Sequence, residues 1–140
     1  MLKKISKKII TFIFIVFIYS ACEKNEGITT DTLPVQTGLF NSVVSHDGLS
    51  RQFIMYVPTN YNSDIEYPLM INFHGFGGTA SDFVETADMR SLAENENFII
   101  VYPQGTLLGG FPHWNSSAPS SDNKSSVDDI GFVEKMIENI

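Results

Sequence analysis

Apolar positions recur with different periods along this chain, and each period predicts a different element. Residues 39–45 and 51–58 alternate, with Phe53, Met55 and Val57 on one face and Ile54 and Tyr56 on the other. His46-Asp47-Gly48 lies between them, and Asp-Gly between two β-rich runs predicts a hairpin. Residues 58–66 read as a loop. Residues 69–73 (LMINF) and 98–102 (FIIVY) are nearly continuous in apolar character, which predicts strands buried on both faces. Residues 79–97 carry helical signals. Ser81 or Asp82 is the candidate cap, with Glu85 completing a D-x-x-E box, and Asp88 is an alternative cap for a short helix carrying Met89, Leu92 and Ala93. Residues 104–126 form a Gly/Ser/Pro/Asn-rich excursion of the length found in functional loops. Residues 127–140 predict a helix capped by Asp128 or Asp129. Its wide apolar stripe comprises Ile130, Val133, Ile137 and Ile140, with Phe132 and Met136 beside them.

This order (strand, strand, strand, helix, strand, helix) predicts an α/β fold with a mixed, mostly parallel sheet flanked by helices. One junction stands out. The 69–73 run ends in His74-Gly75-Phe76-Gly77-Gly78, at the strand edge where open α/β sheets place their chemistry. Glycines there permit a tight turn and let a ligand approach backbone N–H groups. That is the anatomy of an oxyanion hole.

The N-terminus adds an export signal. Lys3, Lys4, Lys7 and Lys8 precede an 11-residue apolar run at 9–19, and Ser20-Ala21 lead into Cys22. A membrane span needs about 20 apolar residues, so residues 1–21 read as a signal peptide. Tyr19-Ser20-Ala21-Cys22 resembles the lipobox of bacterial lipoproteins, with Tyr19 in place of the usual leucine, which implies lipid attachment at Cys22. An ordinary signal with an incidental thiol is the alternative. Cys22 is the sole cysteine, so no intrachain disulfide is available. Without the four signal lysines, five basic residues face sixteen acidic ones, a net −11. Such a surface argues against nucleic-acid partners and against an anionic membrane surface, leaving a lipid anchor as the membrane contact. Polar residues 22–37 follow as lipidated cysteine and tether, and the globular part starts near Gly38.

Several stretches resemble the secreted α/β-hydrolase esterases that include poly(3-hydroxybutyrate) depolymerases and feruloyl or acetylxylan esterases. They are RQFIMYVPTNY (51–61), YPLMINFHGFGG (67–78), ADMRSLAENENFIIVYPQG (87–105), HWN (113–115) and VDDIGFVEKMIENI (127–140). Together they cover nearly all of residues 38–140. The resemblance implies the N-terminal half of an α/β-hydrolase fold, incomplete at its C-terminus. It implies a Ser-Asp/Glu-His esterase whose oxyanion hole takes the Phe76 N–H, with Gly75 and Gly77 shaping the turn. In that family the nucleophile elbow G-x-S-x-G follows the helix matching 127–140, and the acid and His come later. None of these lies within the 140 residues, so the chain as given lacks the triad and is expected to be inactive alone. Relatives often carry cysteines after the Trp-Asn, where this chain has Ser116-Ser117-Ala118-Pro119.

Other residues are read as structure. His74 precedes the nucleophile, whereas the fold's base comes last, so it is expected to brace the turn. Asp128 and Asp129 are adjacent on a helix and do not face each other, so capping is the better role than a carboxylate pair. Gly131, which costs about 1 kcal/mol inside a helix, suggests close approach of a neighbour. Trp114 either stacks on a sugar or ferulate ring or pins the long loop. Ser116, Ser117, Ser120, Ser121, Ser125 and Ser126 show no elbow motif and no obvious base. His46, His74 and His113 have no metal-ligand spacing, and no cofactor is called for. The expected activity is carboxylic ester hydrolysis, on feruloyl or acetyl esters of plant polysaccharide or on a polyester. The alternatives are a non-catalytic surface lipoprotein that keeps the half-fold as a binding module, and a peptidase of the same fold.

Overall fold

The computed structural model describes residues 35–118, 120–121 and 123–140. The signal sequence, Cys22 and all but the last three tether residues lie outside the described residues. The first described elements are β1 (Gly38–His46) and β2 (Leu49–Val57), an antiparallel hairpin in register from Gly38↔Val57 to His46↔Leu49. Asp47 (φ 48°) and Gly48 (φ 74°) both take positive φ, as a two-residue hairpin turn with the strands' own twist requires.

β3 (Leu69–Ile71) is followed by α1 (Ala80–Thr86), α2 (Arg90–Glu96) and β4 (Ile99–Pro103). The sheet order is β1-β2-β4-β3. β4 runs antiparallel to β2 and parallel to β3, so two of the three pairings are antiparallel. The sheet is mixed, but the expectation of a mostly parallel one is corrected. The tight β1–β2 turn forces one antiparallel pair, and β4 then lies against β2 in the opposite sense.

Every residue of β4 is buried. Ile99 and Val101 face Phe53, Val57, Phe132 and Met136 on one side, while Ile100 and Tyr102 face Ala80, Val84 and Ala93 on the other. The alternation read from β2 holds, since Phe53, Met55 and Val57 join the first cluster and Ile54 and Tyr56 the second. Each fully buried side chain of this kind contributes about 1.5–3 kcal/mol.

β3 differs from expectation. It is three residues long rather than five, and Met70 and Phe73 are 36% and 44% exposed. Among the described residues β4 is the one strand paired with it.

The 79–97 segment folds as two short helices. Thr79, not Ser81 or Asp82, caps α1: its hydroxyl accepts from the Asp82 N–H at 3.1 Å and donates to the Asp82 carboxylate at 2.7 Å. The cap lies three residues before Asp82, so the box is Thr79-x-x-Asp82, not Asp82-x-x-Glu85. Asp88 accepts from the Arg90 N–H at 3.0 Å, one position before the helical N-cap Met89.

The polar excursion contains a second hairpin, β5 (Thr106–Leu108) and β6 (Phe111–His113), turning at Gly109 and Gly110, both at positive φ. Gly-Gly between two short apolar runs was the available signal. α3 (Asp129–Glu138) begins at Asp128, whose carboxylate accepts from the Gly131 N–H at 3.0 Å. The stripe on α3 splits. Phe132 and Met136 are fully buried against the sheet, whereas Ile130, Ile137 and Ile140 are 41–47% exposed.

Candidate functional site

The chain leaves β3 with one more parallel-sheet bond, Asn72 N–H to Val101 O at 2.8 Å, and then enters the glycine-rich turn. Gly75 to Gly78 form a β-turn closed by Gly78 N–H to Gly75 O at 3.0 Å. Gly77 occupies its third position at φ 79°, the conformation that favours glycine there. The Gly77 N–H is spent on Pro112 O at 2.8 Å. Of the residues singled out for oxyanion binding, Gly77 therefore shapes the turn and docks it to β6. Among the described residues, the amides of Gly75 and Phe76 donate to no protein acceptor.

His74 sits beneath the turn, 3% exposed. Its Nδ1 is 2.8 Å from Gly75 O, a carbonyl that only accepts, so Nδ1 carries the proton. Nε2 is left to accept from the Gly105 N–H at 3.0 Å, with the Gln104 amide at 3.2 Å. Both nitrogens are committed to holding backbone, so this imidazole has no free lone pair for a substrate.

Trp114 braces the same turn from the position just after β6. Its Nε1–H donates to His74 O at 3.0 Å, and its ring meets Phe73 edge-on and His74 at a tilt, each at 5.1 Å. The indole is pinned to the core. Its surface also lines a depression of about 450 Å³ together with Gly75, Phe76, His113, Ser116 and Lys124.

Gly105 is forced by proximity, because a Cβ there would collide with the backbone of His113. His113 is itself buried, with Nδ1 2.9 Å from Thr106 O and Nε2 3.0 Å from Ser125 Oγ. No base for a loop serine is obvious in the sequence, and the structure sets His113 beside Ser125. Its hydroxyl also accepts from Asn115 Nδ2 at 2.9 Å, and that amide further donates to Ser125 O and Val127 O. The network closes the 115–127 loop, whose two ends stand twelve positions apart in sequence, too far for spacing alone to reveal.

The adjacent acids serve different partners. Asp128 caps α3 and lies 3.2 Å from His46 Nε2. The Gly131 N–H bond, and then the histidine, hold its carboxyl below the usual range. Asp129 is 2% exposed, pairs with Arg51 at 2.6 Å and accepts from the Asn115 N–H at 2.7 Å. The Arg51 guanidinium lies 3.9 Å over the Phe132 ring. Sequence reading missed this ion pair, although Arg51 shares the inward parity of Phe53, Met55 and Val57, and a buried cation needs a buried acid. The three histidines lie in three separate networks. His46, Asp47 and Asp128 bring ligand-type atoms within 4.8 Å of one another, a grouping assembled from the hairpin turn and the start of α3.

No family model matches the chain. Over 90 residues, 64% of this chain, it is 27% identical to Feruloyl esterase B from Piromyces equi. The chain spans 16% of that relative's length. A solved structure described as "Crystal Structure of pOPH Native" superposes on 75% of this chain and 38% of its own, with a TM-score of 0.49 and 18% sequence identity. The chain is thus distantly similar to an esterase.

Proposed function

We propose that this chain forms the N-terminal half of an α/β-hydrolase domain in a serine-type carboxylic ester hydrolase. The observation that carries the reading is the Phe76 amide. It lies in a turn at the end of a sheet strand and, among the described residues, has no protein acceptor, while Gly77 is held by Pro112, Gly78 by Gly75, and His74 by Gly105 and Trp114. A donor held this way needs no reorganisation when negative charge develops on a carbonyl oxygen, and one such donor supplies about 2.7–4 kcal/mol of transition-state stabilisation. The distant similarity to a feruloyl esterase supports the same class.

The nucleophile in this reading is a serine from a G-x-S-x-G elbow that residues 1–140 do not contain. It attacks the ester carbonyl, its proton passes to a histidine, and the oxyanion is held between Phe76 N–H and the amide after the serine. The alcohol leaves and water releases the acid. The substrate is an acyl ester, of feruloyl or acetyl type on plant polysaccharide or of polyester type. Export and lipid attachment at Cys22 would place the enzyme at the cell surface, a reading supported by residues 1–22 of the sequence.

The test is hydrolysis by the protein expressed from its whole reading frame, with methyl ferulate, p-nitrophenyl acetate and poly(3-hydroxybutyrate) as substrates. Turnover of an ester that is blocked by a serine-directed fluorophosphonate is expected. A soluble, folded protein inert toward all three substrates and unlabelled by the reagent would favour the non-catalytic binding module.

A further inference from the structure

The β5–β6 hairpin buries little of its own apolar surface, yet it is fastened to the glycine turn. Leu107 and Phe111 are 68% and 57% exposed, and Phe76 is 70% exposed. The bond from Gly77 N–H to Pro112 O sets Phe111 beside Phe76, with ring centroids 5.8 Å apart and planes 31° from parallel. Exposed aromatics gathered in one patch mark a binding surface more often than scattered ones do.

We propose that Phe76 and Phe111 form a stacking platform for a planar aromatic ring on the acyl side of the substrate, and that Phe111 is a specificity-determining residue. The inference rests on the esterase reading above. Phe76 contributes the amide that would bind the carbonyl oxygen, so a group attached to that carbonyl carbon is within reach of the same residue's ring. Two faces inclined by 31° accept a third ring in offset or tilted contact at the 4.5–7 Å spacing that aromatic pairs prefer. An acetyl group or a hydroxyalkanoate unit offers no such face. The depression beside Phe76 is also lined by the polar Ser116 and Lys124, which suit the alcohol side.

The experiment compares methyl cinnamate with methyl butyrate, two esters of one alcohol, on the wild type, Phe111→Ala and Phe111→Tyr. In Phe111→Ala the ratio of kcat/KM for cinnamate over butyrate should fall about three- to tenfold, mainly through KM, while Phe111→Tyr keeps it. An unchanged ratio, or equal loss on both esters, overturns the platform. A wild type that hydrolyses neither ester defeats the esterase reading instead. Saturation-transfer NMR with methyl cinnamate then decides the platform. A signal lost in Phe111→Ala upholds it, and no signal, or one that survives the substitution, overturns it.

Discussion

The Trp114 indole N–H donates to the backbone oxygen of His74 at 3.0 Å, joining the end of the second hairpin to the residue that precedes the glycine turn. Through that bond a residue outside the turn holds the backbone that enters it. Trp114→Phe keeps the ring contacts and removes the donor. It should cost about 1 kcal/mol in stability and, if the turn loosens, lower kcat more than it raises KM. Thermal melts and steady-state kinetics on Trp114→Phe read the two effects separately. An unaltered melt and unaltered kcat would show that the bond positions nothing.

Gly131 provides a test with an unexpected sign. It lies inside α3, where alanine is favoured over glycine by about 1 kcal/mol. A Cβ there, however, would collide with the Asp128 carboxylate and come within 2.8 Å of His46 Cε1 and 2.9 Å of its Nε2. Gly131→Ala should therefore destabilise the protein by about 1–3 kcal/mol. Adding His46→Ala should restore part of the loss. Denaturant titration of the single and double variants measures both, and a more stable Gly131→Ala would contradict the packing described.

Glu94 is one source of pH dependence. It accepts from the Tyr56 hydroxyl, the Thr59 N–H and the Thr59 hydroxyl, fastening α2 to the end of β2. The Tyr56 bond, followed by the Thr59 N–H, lowers its pKa from the ordinary 4.5, and the same carboxylate pushes the Tyr56 phenol up to about 12. A carboxyl whose folded pKa is depressed contributes fully above its unfolded value and loses that contribution as pH falls through the folded one. Glu94→Gln should thus melt below wild type at pH 7, and the gap should narrow as pH falls below the carboxylate range. A gap that is constant or widens toward low pH would assign the difference to something other than the charge.

Much of the fold was legible because its signals are local. Asp47-Gly48 is a turn with its own chemistry, and the parity of Phe53, Met55 and Val57 against Ile54 and Tyr56 separates the two cores within one strand. Phe98 to Tyr102 is so uniformly apolar that only burial on both faces accommodates it. What escaped was set by distant parts of the chain. The exposure of Met70 depends on which strand lies beside β3, and the length of an apolar run does not report that. The caps shifted because Thr79 and Asp82 bond each other, which leaves Ser81 outside the box. Arg51 with Asp129, and His113 with Ser125, are partners chosen by the packing of α3 and the loop against the sheet. At the glycine turn the residue types pointed to a backbone donor, but the spending of Gly77 N–H on Pro112 required the second hairpin to be seen.

The surface left by β3 and α3 predicts a behaviour of the segment in isolation. Met70 in β3 and Phe73 just past it, with Ile130 and Ile137 on the helix, are 36–47% exposed. An apolar strand edge is a template for association. Residues 23–140 produced alone should self-associate or remain molten, and should not hydrolyse p-nitrophenyl acetate above background. Size-exclusion chromatography and a thermal melt decide this, and a monodisperse, cooperatively melting, active fragment would contradict it.

The central claim is that the Phe76 amide is half of an oxyanion hole whose other half belongs to a serine nucleophile. The most direct measurement is the nucleotide sequence downstream of codon 140. The account predicts an open frame with a G-x-S-x-G elbow within about 30 residues, the length of a strand–helix–strand unit, followed by an Asp or Glu and then a His. A stop codon directly after Ile140, or a long frame without that order of residues, would contradict it.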